Sequence, residues 1–192
     1  MDHFYQNIYG WFDYQELYKN VINTLPEGSR IVEIGAFKGK STAFLAVEAI
    51  NSGKKFKIDI IDSWNGENES GAPWMDYHDE PVVNQFKPQG DIFQEFKKNL
   101  LPVWDVINPI QSLSAPAASL YKDKSLDFIF IDADHNYEGI KKDLIAWIPK
   151  MKDGATMAGH DYTTWKGVET AVNEFFGKRN VTIIESSWIV KL

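Results

Sequence analysis

Apolar and polar positions along the chain follow two periods. The runs "RIVEIG" (30–35), "KFKIDIID" (55–62), "DVINPI" (105–110) and "LDFIFID" (126–132) are short and rich in Ile, Val and Phe. That is the pattern of strands buried in a sheet. Between and around them lie stretches whose apolar residues recur every three to four positions, at 14–25, 41–53, 91–101, 137–151 and 167–176, with a shorter one at 114–121. These predict amphipathic helices, the second capped by Ser41 and ended by Gly53. A further strand fits "ATMAGHD" (155–161). "VTIIES" (181–186) and "SWIVKL" (187–192) have almost nothing between them, which suits an antiparallel hairpin. Strand alternating with helix predicts an α/β fold around a mostly parallel sheet.

Composition narrows the class. At 192 residues with 44% apolar content, the chain suits one globular domain, 1–192, with a substantial core. A net charge of -7 speaks against a nucleic-acid partner, which would select a basic face. No apolar run is long enough to span a bilayer, and the start "MDHFYQNIYG" lacks a signal-peptide pattern, so we expect a soluble, cytoplasmic protein without a membrane partner. There are no cysteines, which excludes disulfides and thiolate metal sites. The polar stretch 63–90 is too long for an ordinary connection and reads as a lid-like insertion. Its Trp64, Trp74, Tyr77 and His78 offer flat surfaces for a sugar or aromatic ring. The same rings suit loop anchoring or a contact within a homo-oligomer. Trp147 and Trp165 read instead as packing residues.

The candidate chemistry collects at strand ends. In an open α/β sheet, ligands gather at the carboxyl ends of the strands, where Glu33, Asp62, Asp132, His160 and Asp161 all fall. The loop "EIGAFKGKS" (33–41) joins the first strand to a helix. Gly35 and Gly39 let backbone approach a ligand, and the helix start offers free N–H groups to an anion. The spacing is neither GxGxxG nor a phosphate-binding Walker loop. Asp62 is placed to accept ribose hydroxyls, or simply to cap a turn. The stretch "LDFIFIDADHNYEG" (126–139) passes abruptly from apolar residues to Asp132, Asp134 and His135.

These motifs together resemble a known family. "VEIGAFKGKST" followed by "IIDSW" is similar to the first two motifs of class I S-adenosylmethionine-dependent methyltransferases. "FIFIDADH" resembles a segment of the metal-dependent catechol and caffeoyl-CoA O-methyltransferases. The longer run "IDADHNYEGIKKDLIAWIPKMKDGATMAGHDY" resembles the macrocin-type branch, which methylates sugar hydroxyls. The resemblance covers roughly 29–176. It implies a Rossmann-like, mostly parallel seven-stranded sheet with a C-terminal antiparallel hairpin and helices on both faces.

The resemblance also implies roles. Glu33, Gly35, Phe37, Gly39 and Ser41 would surround the methionine part of S-adenosylmethionine. Asp62 would hold the ribose, Gln111 and Ser112 would lie beside the adenine, and Asp132 would border the cofactor. Asp132, His160 and Asp161 would hold a divalent metal, Mg or Mn, although His160 stands where the family has Asp and Tyr162 aligns as well. One imidazole shifts the preference from magnesium towards manganese, iron or zinc. As plain strand-end hydrogen bonders, His160 and Asp161 would need no metal. Asp134 and His135 compete as the base, Asp134 by analogy with the sugar-modifying branch and His135 by its near-neutral pKa. The acceptor is then a small molecule such as a sugar or glycan. The rival readings are a glycosyltransferase using the "DAD" segment, a dinucleotide oxidoreductase and a nucleoside-binding protein without turnover.

Overall fold

A computed structural model describes residues 1–65 and 91–192; most of the 63–90 insertion, with Trp74, Tyr77 and His78, lies outside them. Seven strands form one sheet: β1 (Arg30–Ile34), β2 (Lys57–Asp62), β3 (Ile107–Gln111), β4 (Leu126–Ile131), β5 (Met151–Gly159), β6 (Thr182–Ile184) and β7 (Ser187–Lys191). Their order is β3-β2-β1-β4-β5-β7-β6. The first five pair in parallel, and β7 runs antiparallel to both β5 and β6. The sheet class and the closing hairpin are those implied by the sequence.

The strands read as continuous apolar runs because both faces of the sheet are covered. The two-residue period of β4 sends Phe128 and Phe130 to one core and Ile129 and Ile131 to the other. The first core packs α1 (Gln15–Thr24), α2 (Lys40–Asn51) and α3 (Ile92–Leu100) against the sheet through Tyr18, Leu45 and Phe96. The second packs the short α4 (Ser114–Ala117), α5 (Tyr137–Trp147) and α6 (Lys166–Phe176) through Ala117, Leu144, Trp147 and Val168. The same alternation in β1 puts Glu33 on the α1/α2 face, between Val32 and Ile34 of the opposite core.

Three local readings change. Ser41 does not cap α2; the cap is Gly39 in a left-handed conformation, φ 89°, which a side chain would resist. Helix α5 stops at Trp147, before Pro149, which has no N–H to continue it. Strand β5 starts at Met151, earlier than its polar Lys152-Asp153-Gly154 suggested, because a register irregularity lets Met151 pair with Leu126. Trp64 is a core anchor at 4% exposed, with its indole N–H donating to the Phe37 carbonyl at 2.8 Å.

Candidate active site

The strand order reverses between β1 and β4, and the loops that leave those two strands diverge there. Gly35 makes the crossing possible. Its φ is 85°, and a Cβ on it would sit 1.8 Å from the carbonyl oxygen of Asp132. The Asp132 N–H also donates to the Ile34 carbonyl at 2.8 Å, so the two strand ends are fixed to each other. Next to this crossing opens a cleft of about 140 Å³. Gly35, Ala36, Phe37, Lys40 and Ser41 line one side, and Asp132, His135, His160, Asp161 and Trp165 the other.

Asp62 organises the first side without lining it. One carboxylate oxygen accepts from the Ala36 and Phe37 N–H groups at 2.8 Å each, and the other from the Trp64 N–H at 2.7 Å. These bonds hold Phe37 at a positive φ of 48°. Burial raises the Asp62 pKa, against the pull of those N–H groups. Gln111 pairs with Asp62 across the sheet, donates to the Ser63 carbonyl, and is followed by Ser112, whose N–H donates to the Asp62 carbonyl. Asp62, Gln111 and Ser112 thus form one group at the β2/β3 end, joined to the cleft through Phe37.

Glu33 lies beneath the cleft floor at 1% exposed. It accepts from the Tyr18 hydroxyl at 2.8 Å and the Thr42 hydroxyl at 2.5 Å. Burial nevertheless pushes its pKa up to about 7, with the hydroxyls of Ser41, Thr42 and Tyr18 opposing.

The second side is a chain of alternating acids and imidazoles. Asp161, held at a positive φ of 62°, accepts from Thr164 at 2.7 Å through one oxygen and meets His135 Nε2 at 2.9 Å through the other. Asp132 faces the same nitrogen at 3.9 Å and accepts from the Tyr14 hydroxyl at 3.1 Å. His135 stacks on Trp165, ring centroids 5.0 Å apart. Burial works against charging His135, yet Asp132 and Asp161 outweigh it and hold its pKa up to about 10. His160 rises to about 9, its burial likewise outweighed by Asp161, Asp132 and Asp13, and the two imidazoles hold Asp161 well below the usual carboxylate range despite its own burial.

Ligand atoms of Asp132, His135 and Asp161 lie within 4.8 Å of one another, a separation that fits a divalent cation. His160 is not one of that group: its Nε2 lies 2.8 Å from Asp13, and its Nδ1 borders the cluster 3.5 Å from Asp161. Asp134 accepts from the backbone N–H of Asn136 at 3.0 Å and from its side-chain amide, packed where Gly139 leaves room. Among the described residues, His135 lines the cleft and Asp134 does not. The sequence did not point to Tyr9, Trp11, Asp13, Tyr14 or Lys40, and Trp165 stands in the cleft, where a packing residue was expected. No periodicity marks the first group. Trp165 could have been found by its place three residues after Tyr162, in the loop following β5.

Comparisons with known proteins give the family and the fold. A family model described as a methyltransferase domain matches residues 32–162. An uncharacterized protein, y4gI of Sinorhizobium fredii (strain NBRC 101917 / NGR234), is 24% identical over 133 residues, 69% of this chain, and the chain spans 13% of that relative's length. Three solved structures share the fold. The O-methyltransferase NovP superposes with a TM-score of 0.61 at 14% identity, covering 92% of this chain and 78% of its own. CalS11, a TDP-rhamnose 3'-O-methyltransferase of calicheamicin biosynthesis, gives 0.59 at 12% identity, covering 92% and 77%. TomG from Streptomyces achromogenes, an O-methyltransferase solved with S-adenosylmethionine, gives 0.59 at 16% identity, covering 93% and 78%.

Proposed function

The chain belongs to the methyltransferase-domain family and has the fold of class I S-adenosylmethionine-dependent methyltransferases; from that premise we propose that it methylates a hydroxyl oxygen of a sugar or other small molecule, with a divalent cation assisting. The observation that carries this reading is the cleft at the strand-order reversal, where the glycine loop faces the Asp132, His135 and Asp161 cluster.

In the reaction an O–CH₃ bond forms as the S–CH₃ bond breaks, the hydroxyl loses its proton, and S-adenosylhomocysteine leaves. Gly35, Phe37, Lys40 and Ser41 would cradle the methionine end of the cofactor, with the free N–H groups at the start of α2 and the Lys40 ammonium facing its carboxylate. The nucleoside end would lie towards Gln111, Ser112 and Asp62, whose carboxylate braces the glycine loop. Asp132, His135 and Asp161 would hold the cation, which would take the place of the proton that the two carboxylates keep on His135 and would lower the pKa of a bound hydroxyl. His135 thus takes the ligand place that the sequence suggested for His160. The proton of the cation-bound hydroxyl would leave to solvent water, since the three side chains of the cluster serve as ligands and Asp134 uses its Oδ1 to hold the turn before α5. A sugar hydroxyl is one acceptor within this reading, as CalS11 acts on TDP-rhamnose.

Two measurements test the proposal. S-adenosylhomocysteine should bind in calorimetry with micromolar-order affinity, and NADH and a UDP-sugar should not; the reverse result removes the methyltransferase reading. Manganese binding, followed by electron paramagnetic resonance, should weaken at least ten-fold, about 1.4 kcal/mol, in Asp132→Asn and His135→Gln and persist in His160→Gln. Loss in His160→Gln with His135→Gln intact would return the ligand set to Asp132, His160 and Asp161.

A further inference from the structure

The family match begins at residue 32, yet Tyr9, Gly10, Trp11 and Tyr14 line the cleft as well. The segment before α1 is anchored on α2, where the rings of Tyr5 and Phe12 each lie 5.2 Å from Phe44. It then runs over the glycine loop. A Cβ on Gly10 would be 3.6 Å from Lys40 and 3.8 Å from the Phe37 ring, and Trp11 lies 6.2 Å from Phe37. The Lys38 ammonium sits 5.7 Å over the Tyr9 ring and 5.5 Å over Phe37, which braces that contact. On the far side of the cleft, Asp13 reaches His160 at 2.8 Å and the Tyr14 hydroxyl reaches Asp132 at 3.1 Å. Residues 9–14 therefore bridge both banks of the cleft.

We propose that Tyr9–Trp11 form a strap that closes over the bound cofactor, its foot held by Phe12 on α2 and by Tyr14, with Asp13 between them as the positioning residue that latches it through His160. The proposal rests on the methyltransferase reading and adds the element that controls entry. The two anchors on the far bank differ in strength. Tyr14 is buried at 5% exposed, so its end of the strap is fixed. The Asp13 side chain is 55% exposed, and an ion pair with a solvated partner opens at little cost. Tyr9 and Trp11, 48% and 53% exposed, keep large ring surfaces that a ligand beneath them would help to bury. A latch that opens easily next to a fixed hinge is what repeated loading and release of a cofactor require.

The test follows S-adenosylhomocysteine dissociation by stopped flow and hydrogen exchange of residues 5–14, in the wild type and in Asp13→Ala, Asp13→Glu and Trp11→Ala. Ligand should slow exchange across 9–14 in the wild type. Asp13→Ala should release the ligand roughly five-fold faster, the size of an exposed ion pair, and Asp13→Glu should restore much of the difference. Trp11→Ala should release it roughly ten-fold faster through the lost ring contact. Thermal melts check that each variant is folded; if Asp13→Ala is not, the exposed Trp11 carries the test. Wild-type binding with unchanged release rates and unchanged exchange overturns the strap and leaves the functional reading standing. No wild-type binding overturns that reading, and the strap with it.

Discussion

Replacing Glu33 by Gln should make the protein more stable at pH 8 and leave it nearly unchanged at pH 5. The Glu33 side chain occupies a core-facing position of β1 at 1% exposed, so its charge has almost no solvent. Its pKa rises from 4.5 to about 7, which at about 1.4 kcal/mol per unit corresponds to about 3 kcal/mol. The sign follows from linkage. A folded-state pKa above the unfolded value contributes stability that is full below 4.5 and is lost as pH rises through about 7. Glutamine keeps the shape and carries no charge, and the Tyr18 and Thr42 hydroxyls can accept from its amide as readily as they donate. Urea unfolding at half-unit steps from pH 5 to 8 would show two curves that start together and separate, the wild type falling by about 3 kcal/mol more. The histidines shift both curves alike, so the difference isolates residue 33. Parallel curves across this range would mean that the Ser41, Thr42 and Tyr18 hydroxyls keep Glu33 ionised, and the burial argument would fail.

Two further substitutions probe the same floor. Gly35→Ala should prevent folding, since it adds a methyl 1.8 Å from the Asp132 carbonyl at a positive φ; a cooperative melt within a few degrees of the wild type would contradict the crossing. Asp62→Asn should cost about 1–3 kcal/mol in urea unfolding, because a neutral amide cannot accept from Ala36, Phe37 and Trp64 as the carboxylate does; equal stability would show that the N–H groups find other partners.

The fold was legible because both of its periods are strong. Four apolar runs mark strands β1 to β4, and the polar residues ending β1, β2 and β4 located the cleft before any geometry was known. What could not be read was pairing across long stretches of chain. Asp13 meets His160 147 residues later, and Tyr14 meets Asp132 118 residues later; neither spacing leaves a local pattern. The family resemblance grouped His160 with Asp132 and Asp161 and gave His135 only as a candidate base. The left-handed backbone at Asp161 instead aims that carboxylate at His135. Ser41 had the right chemistry for a cap and the wrong place, because the positive φ at Gly39 starts the helix earlier.

The place of β7 has a consequence for synthesis. It lies between β5 and β6 in the sheet, although it follows both in the chain. A ribosome therefore finishes β5 with one edge open, and β6 emerges next without being its neighbour. Until residues 187–191 appear, the backbone groups of Met157, Ala158 and Gly159 have no partner on that side. An apolar strand with a bare edge is a template for any other extended chain. The nascent protein is most exposed to mispairing in this interval, and β7 ends it by covering β5 on one side and, among the described residues, giving β6 its strand neighbour on the other.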